Sequence, residues 1–322
     1  MQTHTRRAVL TGLAALLVSG RPGVTQSPPL KIVYPFSAGG AADGIARLIA
    51  DELQQRLGRP VLVENVVGAG GRIAARAVKD GPANGTVLLF ASSSQTTLQP
   101  HIYHDLGYQP FDDFMPISQI IRSELAFAVS SQIPVRSVNE LIAWLKADPN
   151  YALYGSPGIG TGPHFAGIEF GRMLGLELRH VPYRGTPAAL PDVLAGRIPF
   201  YIALAAELIE QHKGGGLRIL ATAGATRSPF LPEVPTLSES GIAILAPGWF
   251  AFYAPRRTPE DIRALLEQEI IAATRAPDVH SRMLAMGFEP TGTTSAQLSR
   301  LQREEFERWG SIVKSSGFHG EK

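Results

Sequence analysis

The chain has 322 residues, which at a typical domain length of about 150 residues corresponds to roughly two domains and excludes one small module. Its 44% apolar and 18% charged content is that of a globular protein, and the absence of cysteine excludes disulfides, thiolate metal sites and thiol nucleophiles. The formal charge of +2 comes from Arg6, Arg7 and Arg21 near the start; the remaining 27 basic and 28 acidic groups form no basic stripe for DNA or RNA.

Thr5-Arg6-Arg7-Ala8-Val9-Leu10, the apolar stretch 11–19 and a Gly/Pro-containing tail have the layout of a signal peptide over residues 1–26. The paired arginines resemble a twin-arginine export signal, and general secretion is the other reading. This stretch is too short to span about 30 Å of hydrocarbon, and no later one offers about 20 successive apolar residues. The expectation is an exported, soluble protein.

Residues 30–36 then read as a buried strand, followed by a glycine-rich turn and a helix whose Ile45, Leu48, Ile49, Leu53 and Leu57 share one face. Gly58 supplies a left-handed stop before a strand at 61–64. A helix at 72–78 and a strand at 87–91 continue the alternation, with Asn84-Gly85 as a turn, and imply parallel wiring. A strand at 125–129 precedes a capping box, Ser137 with Glu140, which opens a helix through Leu141, Trp144 and Leu145. Strands at 151–154, 176–181, 198–204 and 217–221 alternate with helices through Phe165 and Ile168, at 187–194 and at 207–213. After Pro247-Gly248 come a strand at 249–253, a helix opened by Thr258-Pro259, and a last helix carrying Leu298, Leu301, Phe306, Trp309, Ile312 and Val313 on its apolar face. No linker separates two blocks, so two lobes would be crossed more than once, near 122–129 and 245–253.

Candidate chemistry lies where strands hand over to helices. Gly155-Ser156-Pro157-Gly158-Ile159-Gly160-Thr161-Gly162-Pro163-His164 is such a corner, and its free amides and helix dipole suit an anion; an unliganded tight turn is the other reading. Pro35-Phe36-Ser37-Ala38-Gly39-Gly40-Ala41-Ala42-Asp43 has the same layout, and ligands of open α/β sheets lie beyond the carboxyl ends of strands. Asp43 either orients that loop or complements the helix dipole. Ser92 and Ser94, and Tyr183 with Arg184, follow two further strands. His101 and His104 beside Asp105 are weighed as a metal pair, Asp112-Asp113 as a carboxylate pair, and Gly68-Ala69-Gly70-Gly71 as an incomplete dinucleotide fingerprint; none has the full pattern its chemistry requires. No cofactor and no metal are expected.

Several of these segments, in order, resemble one family. Tyr34-Pro35-Phe36-Ser37-Ala38-Gly39-Gly40-Ala41-Ala42-Asp43, Val63-Glu64-Asn65 with Gly68-Ala69-Gly70-Gly71, Asn84-Gly85-Thr86, the loop 154–161 with His164, Val181-Pro182-Tyr183-Arg184-Gly185, Val234-Pro235-Thr236, Gly248-Trp249-Phe250 and Arg308-Trp309 look like the extracytoplasmic solute receptors of tripartite tricarboxylate transporters, the Bug or TctC-type receptors. The resemblance covers about residues 30–318. It implies a type II-like periplasmic binding protein of two α/β lobes, 29–124 plus 249–322 and 125–248, closing on a small carboxylate without catalysis. It also implies a monomer that serves membrane permease subunits. The ligand-binding residues it implies, with the corner serines, are Phe36, Ser37, Gly39, Gly40, Asp43, Ser92, Ser94, Ser156, Gly158, Gly160, Thr161, His164, Tyr183 and Arg184. Where many relatives carry an acid in the second lobe, this chain has Ile198-Pro199-Phe200-Tyr201-Ile202-Ala203-Leu204, which implies an uncharged-tail or dicarboxylic ligand rather than one with a free amino group. An exported metal- or nucleotide-dependent oxidoreductase or hydrolase is the alternative.

Overall fold

A computed structural model of the chain describes residues 27–316 and 318, so the expected leader at 1–26 lies outside the described residues. The elements run β1 (Leu30–Tyr34), α1 (Ala41–Leu57), β2 (Val61–Asn65), α2 (Arg72–Lys79), β3 (Val87–Ser92), α3 (Pro110–Asp113), β4 (Phe114–Ser130), α4 (Val138–Ala147), β5 (Leu153–Ser156) and α5 (Gly162–Leu174). They continue with β6 (Arg179–Pro182), α6 (Thr186–Leu194), β7 (Phe200–Leu204), α7 (Ile209–Lys213), β8 (Leu217–Thr222), β9 (Pro247–Pro255), α8 (Glu260–Arg275), α9 (Pro277–Ala285), β10 (Glu289–Pro290) and α10 (Ser295–Ser316).

Local chemistry sets most of the boundaries. Gly58 closes α1 in the left-handed region at φ 61°, its N–H on the Gln54 carbonyl. Ser137 Oγ accepts the Glu140 N–H at the start of α4, while the Glu140 carboxylate returns to the N–H of Arg136, one residue upstream of the usual capping box. Thr161 caps α5 through the His164 N–H.

The strands follow the order β2-β1-β3-β9-β4-β7-β5-β6, with β8 and β10 also on β4. Pairing is parallel for β1 with β2 and β3 and for β5 with β6 and β7, but antiparallel wherever β4 or β9 takes part. The parallel wiring implied by the first βα units holds for β1, β2 and β3, and β4 and β9 make both sheets mixed. β4 pairs with β9 as far as Glu124 and with β7 and β8 beyond it, so one strand runs through both sheets. Its first half escapes the periodic reading because the register shifts between Pro116 and Ser118 and again between Gln119 and Ile121, which breaks the two-residue alternation.

Each sheet is covered on both faces. Ile32, Tyr34, Leu88, Phe90 and Phe252 meet α1, α8 and α9 on one side, while Val33, Leu89, Ala251 and Tyr253 meet α2 and α10 on the other. This is the period-2 alternation of strands buried on both faces. In the second sheet Phe127, Phe200 and Ile202 meet α4 and α5, and Tyr201 and Ala203 meet α6 and α7. Each fully buried Val, Leu, Ile or Phe side chain among these contributes about 1.5–3 kcal/mol. The covered sheets hold the strand ends, and hence the corners that follow them, in fixed positions.

Candidate functional site

The carboxyl ends of β1, β3, β5 and β7 converge on a cavity of about 60 Å3. Tyr34, Phe36 and Phe250 form an aromatic wall, with ring centroids 5.8–6.4 Å apart. Polar surface comes from Ser37, from Ser92, Ser93 and Ser94 after β3, from Thr161, and from Thr186 at the start of α6.

Of the residues singled out in the sequence, Phe36, Ser37, Gly40, Ser92, Ser94 and Thr161 line this cavity. The others stand around it. Gly39 lies on an outer groove, its N–H donating to Asp43 Oδ2 at 3.1 Å. Asp43, only 3% exposed, takes Asn65 Nδ2 at 2.8 Å and Arg47 Nε at 2.9 Å, and so braces the first corner from behind. Burial pushes its carboxyl up, but the bonds from Arg47, Asn65 and the Gly39 N–H outweigh this and hold it below the ordinary carboxylate value.

The second corner is largely bonded to itself. Ser156 Oγ donates to the Gly158 carbonyl and contacts His180 Nε2 at 2.7 Å; Thr161 Oγ1 donates to the same carbonyl at 2.7 Å; Gly160 N–H donates to His164 Nδ1. His164 stacks on His180 with centroids 4.0 Å apart. Burial lowers His164 to about 4, and burial with the neighbouring His164 lowers His180 to about 3, so both rings are neutral. Tyr183 turns its hydroxyl to Asp192 at 2.8 Å, and Arg184 is exposed; neither side chain reaches the cavity. What Arg184 brings is its carbonyl, which accepts the Ser37 N–H at 3.1 Å. Ser94 Oγ likewise accepts the Gly162 N–H at 2.9 Å.

Two lining residues outside the expected ligand-binding set bring chemistry of their own. Glu207, in the turn after β7, places its carboxylate on the N–H groups of Ala42 and Ala41 at 2.9 and 3.1 Å. The stretch 198–204 holds no acid, as the sequence reads, but Glu207 stands three residues beyond it. The signal was available, since Glu207 follows a strand at the same edge as Ser92 and Thr161, but it reads equally well as the first turn of a helix. Trp249 is the second. It is 3% exposed and lines the cavity, and among the described residues its Nε1 has no hydrogen-bond partner.

The other candidates have structural partners. His101 Nε2 lies 2.8 Å from the Phe306 carbonyl while His104 is exposed, and among the described residues no group of three His, Asp or Glu converges as a metal site. Asp113 accepts the Gln109 N–H. The Gly70 carbonyl accepts the side-chain amides of Gln95 and Gln99.

This combination, two doubly covered sheets joined through β4 with polar corners facing one hollow, is that of a two-lobed α/β binding protein. The structure superimposes on R. palustris Rpa4515, solved with adipate, at TM-score 0.87 and 30% identity, covering 92% of this chain and 99% of that one. It superimposes on MatC of Rhodopseudomonas palustris, solved with bound malate, at 0.85 and 27% identity, covering 89% and 99%. Protein BugT of Bordetella pertussis (strain Tohama I) is 31% identical over 90% of this chain and 89% of its own length. The sequence pattern of the tripartite tricarboxylate transporter family receptor matches residues 45–318. The chain belongs to that family.

Proposed function

We propose that this chain is a periplasmic receptor that captures a small carboxylic acid between its lobes, 29–124 with 249–322 and 125–248, and presents it to the permease subunits of a tripartite tricarboxylate-type transporter. Residues 1–26 act as a removable export signal. The observation that carries the reading is the cavity at the strand ends of both sheets, where an aromatic wall faces serine and threonine hydroxyls, bridged by the Ser37 N–H to the Arg184 carbonyl and by the Gly162 N–H to Ser94 Oγ. The relatives solved with adipate and malate support the ligand class. The ligand-contacting set is Phe36, Ser37, Gly40, Ser92, Ser94 and Thr161, extended by Trp249. Gly39, Asp43, Ser156, Gly158, Gly160, His164, Tyr183 and Arg184 hold the corners in place.

Micromolar capture requires about 8 kcal/mol, and charge-assisted hydrogen bonds contribute roughly 1.5–3 kcal/mol each before ordering costs, so a few good donors suffice without an arginine clamp. The test is a thermal-shift screen of purified protein against organic acids, nucleotides and zinc. A cognate acid at about 100 times its Kd adds roughly 2.7 kcal/mol of stability. Stabilisation by a carboxylate alone is the expected result; stabilisation by a nucleotide or zinc with no response to any acid overturns the reading.

A further inference from the structure

Glu207 stands between two hollows. It lines the inner cavity and also an outer groove of about 460 Å3, and Gly40, Thr186 and Pro187 border both. The close approach depends on Gly40, because a Cβ there would lie 2.8 Å from Glu207 Oε2. Among the described residues no Lys, Arg or His lines either hollow, and the groove carries a second acid, Glu210. Among the described residues Glu207 has no ion pair; its partners are the two amides of α1. Burial raises its carboxyl above the ordinary value against the lowering by those amides, and the negative Asp43 adds to the rise. A carboxylate in this setting lacks the cation that buried charges ordinarily keep. Each of its oxygens retains a lone pair after accepting one amide.

The cavity also offers the complementary groups. Trp249 Nε1 and Ser37 Oγ are both buried and, among the described residues, both without a hydrogen-bond partner. They are donors able to take a carboxylate, in a hollow whose one charged side chain among the described residues is an acid. A dicarboxylate would bring two negative charges beside Glu207 with no side-chain cation to offset them, whereas a zwitterion would bring the missing positive charge with it.

Resting on the receptor reading above, we propose that Glu207 is the specificity-determining residue of the site and selects a small carboxylic acid that also bears an ammonium group, with the ammonium on Glu207 and the carboxylate on Trp249 Nε1 and Ser37 Oγ.

The experiment compares acids that differ only in the ammonium, aspartate against succinate and alanine against propionate, by calorimetric titration of wild type, Glu207→Gln and Trp249→Phe. In wild type the ammonium-bearing member of a pair binds at least about ten-fold tighter, the scale of one charge-assisted hydrogen bond. Glu207→Gln brings that ratio towards one, while Trp249→Phe weakens both members together and leaves the ratio in place. Because each ratio is taken within one variant, a loss of stability from uncapping α1 does not affect it. Succinate and propionate binding as tightly as their partners in wild type, or a ratio unchanged in Glu207→Gln, overturns the assignment and leaves the receptor reading intact. If Glu207→Gln instead tightens succinate while wild type shows no ammonium preference, Glu207 is a plug on the α1 amides and the assignment falls. Failure of every carboxylic acid to bind folded wild type overturns the receptor reading itself.

Discussion

The backbone N–H of Ser37 donates to the carbonyl of Arg184 at 3.1 Å, joining the corner after β1 to the corner after β6. Gly185, the next residue, makes the approach possible. Its φ of +112° is open to glycine, and a Cβ there would lie 2.7 Å from Ser37 Oγ and 3.3 Å from Ser37 N. Gly185→Ala should therefore force the two corners apart and cost on the order of 1–3 kcal/mol. Thermal unfolding reads the stability, and small-angle scattering reads the expansion; an unchanged radius of gyration would show that this contact does not govern closure.

Gly70 makes a second close approach, to the corner after β5. At φ +62° a Cβ would stand 2.1 Å from the backbone oxygen of Ile159, an atom that cannot move aside as a side chain can. Gly70→Ala is expected to destabilise by about 2 kcal/mol or more and to lower affinity for any acid bound between the lobes. Chemical denaturation and titration check the two effects separately.

Asp43 accepts bonds from Gly39 N–H, Arg47 and Asn65. Asp43→Asn should cost about 1–3 kcal/mol, because donors formerly bonded to a carboxylate lose acceptors. The wild-type contribution has a definite sign in pH. The folded carboxyl titrates below its unfolded value, so its stabilisation is present above about pH 4 and is lost as pH falls through the lower folded value. Urea midpoints between pH 3 and 7 should converge for wild type and variant at the acid end.

The stacked His164–His180 pair gives a second acid dependence. Below the ordinary value of 6.5 the unfolded chain binds protons that the native rings refuse until about pH 4 for His164 and about 3 for His180. Stability should then fall as pH drops from 6.5 towards 4, by up to about 1.4 kcal/mol per pH unit for each proton. His180→Gln should flatten that slope in urea denaturation; an unchanged slope would place its origin elsewhere.

Much of the element order is legible in the residues alone. The spacing of Ile45, Leu48, Ile49 and Leu53 fixes the buried face of α1, Gly58 its end, and Ser137 the start of α4, because each signal acts within a few residues of chain. The corners at Ser37, Ser92 and Thr161 were found for the same reason, since a strand followed by small polar residues and a helix is a local pattern. β4 was half missed where its bulges break the period, and α9, buried at little more than Val279 and Met283, offered too few periodic positions to stand out.

The contents of the cavity were decided elsewhere. Glu207 meets Ala42 across 165 residues of chain, and nothing near either residue announces the other. Arg184, conspicuous as a cation in the sequence, contributes a carbonyl and is exposed, while Trp249 brings a buried N–H from β9. Periodicity and caps are properties of neighbouring residues, so the sequence determined the strands, helices and corners. Which side chain enters the hollow, and with what charge, depends on how the sheets bring distant corners together, and that only the tertiary structure decided.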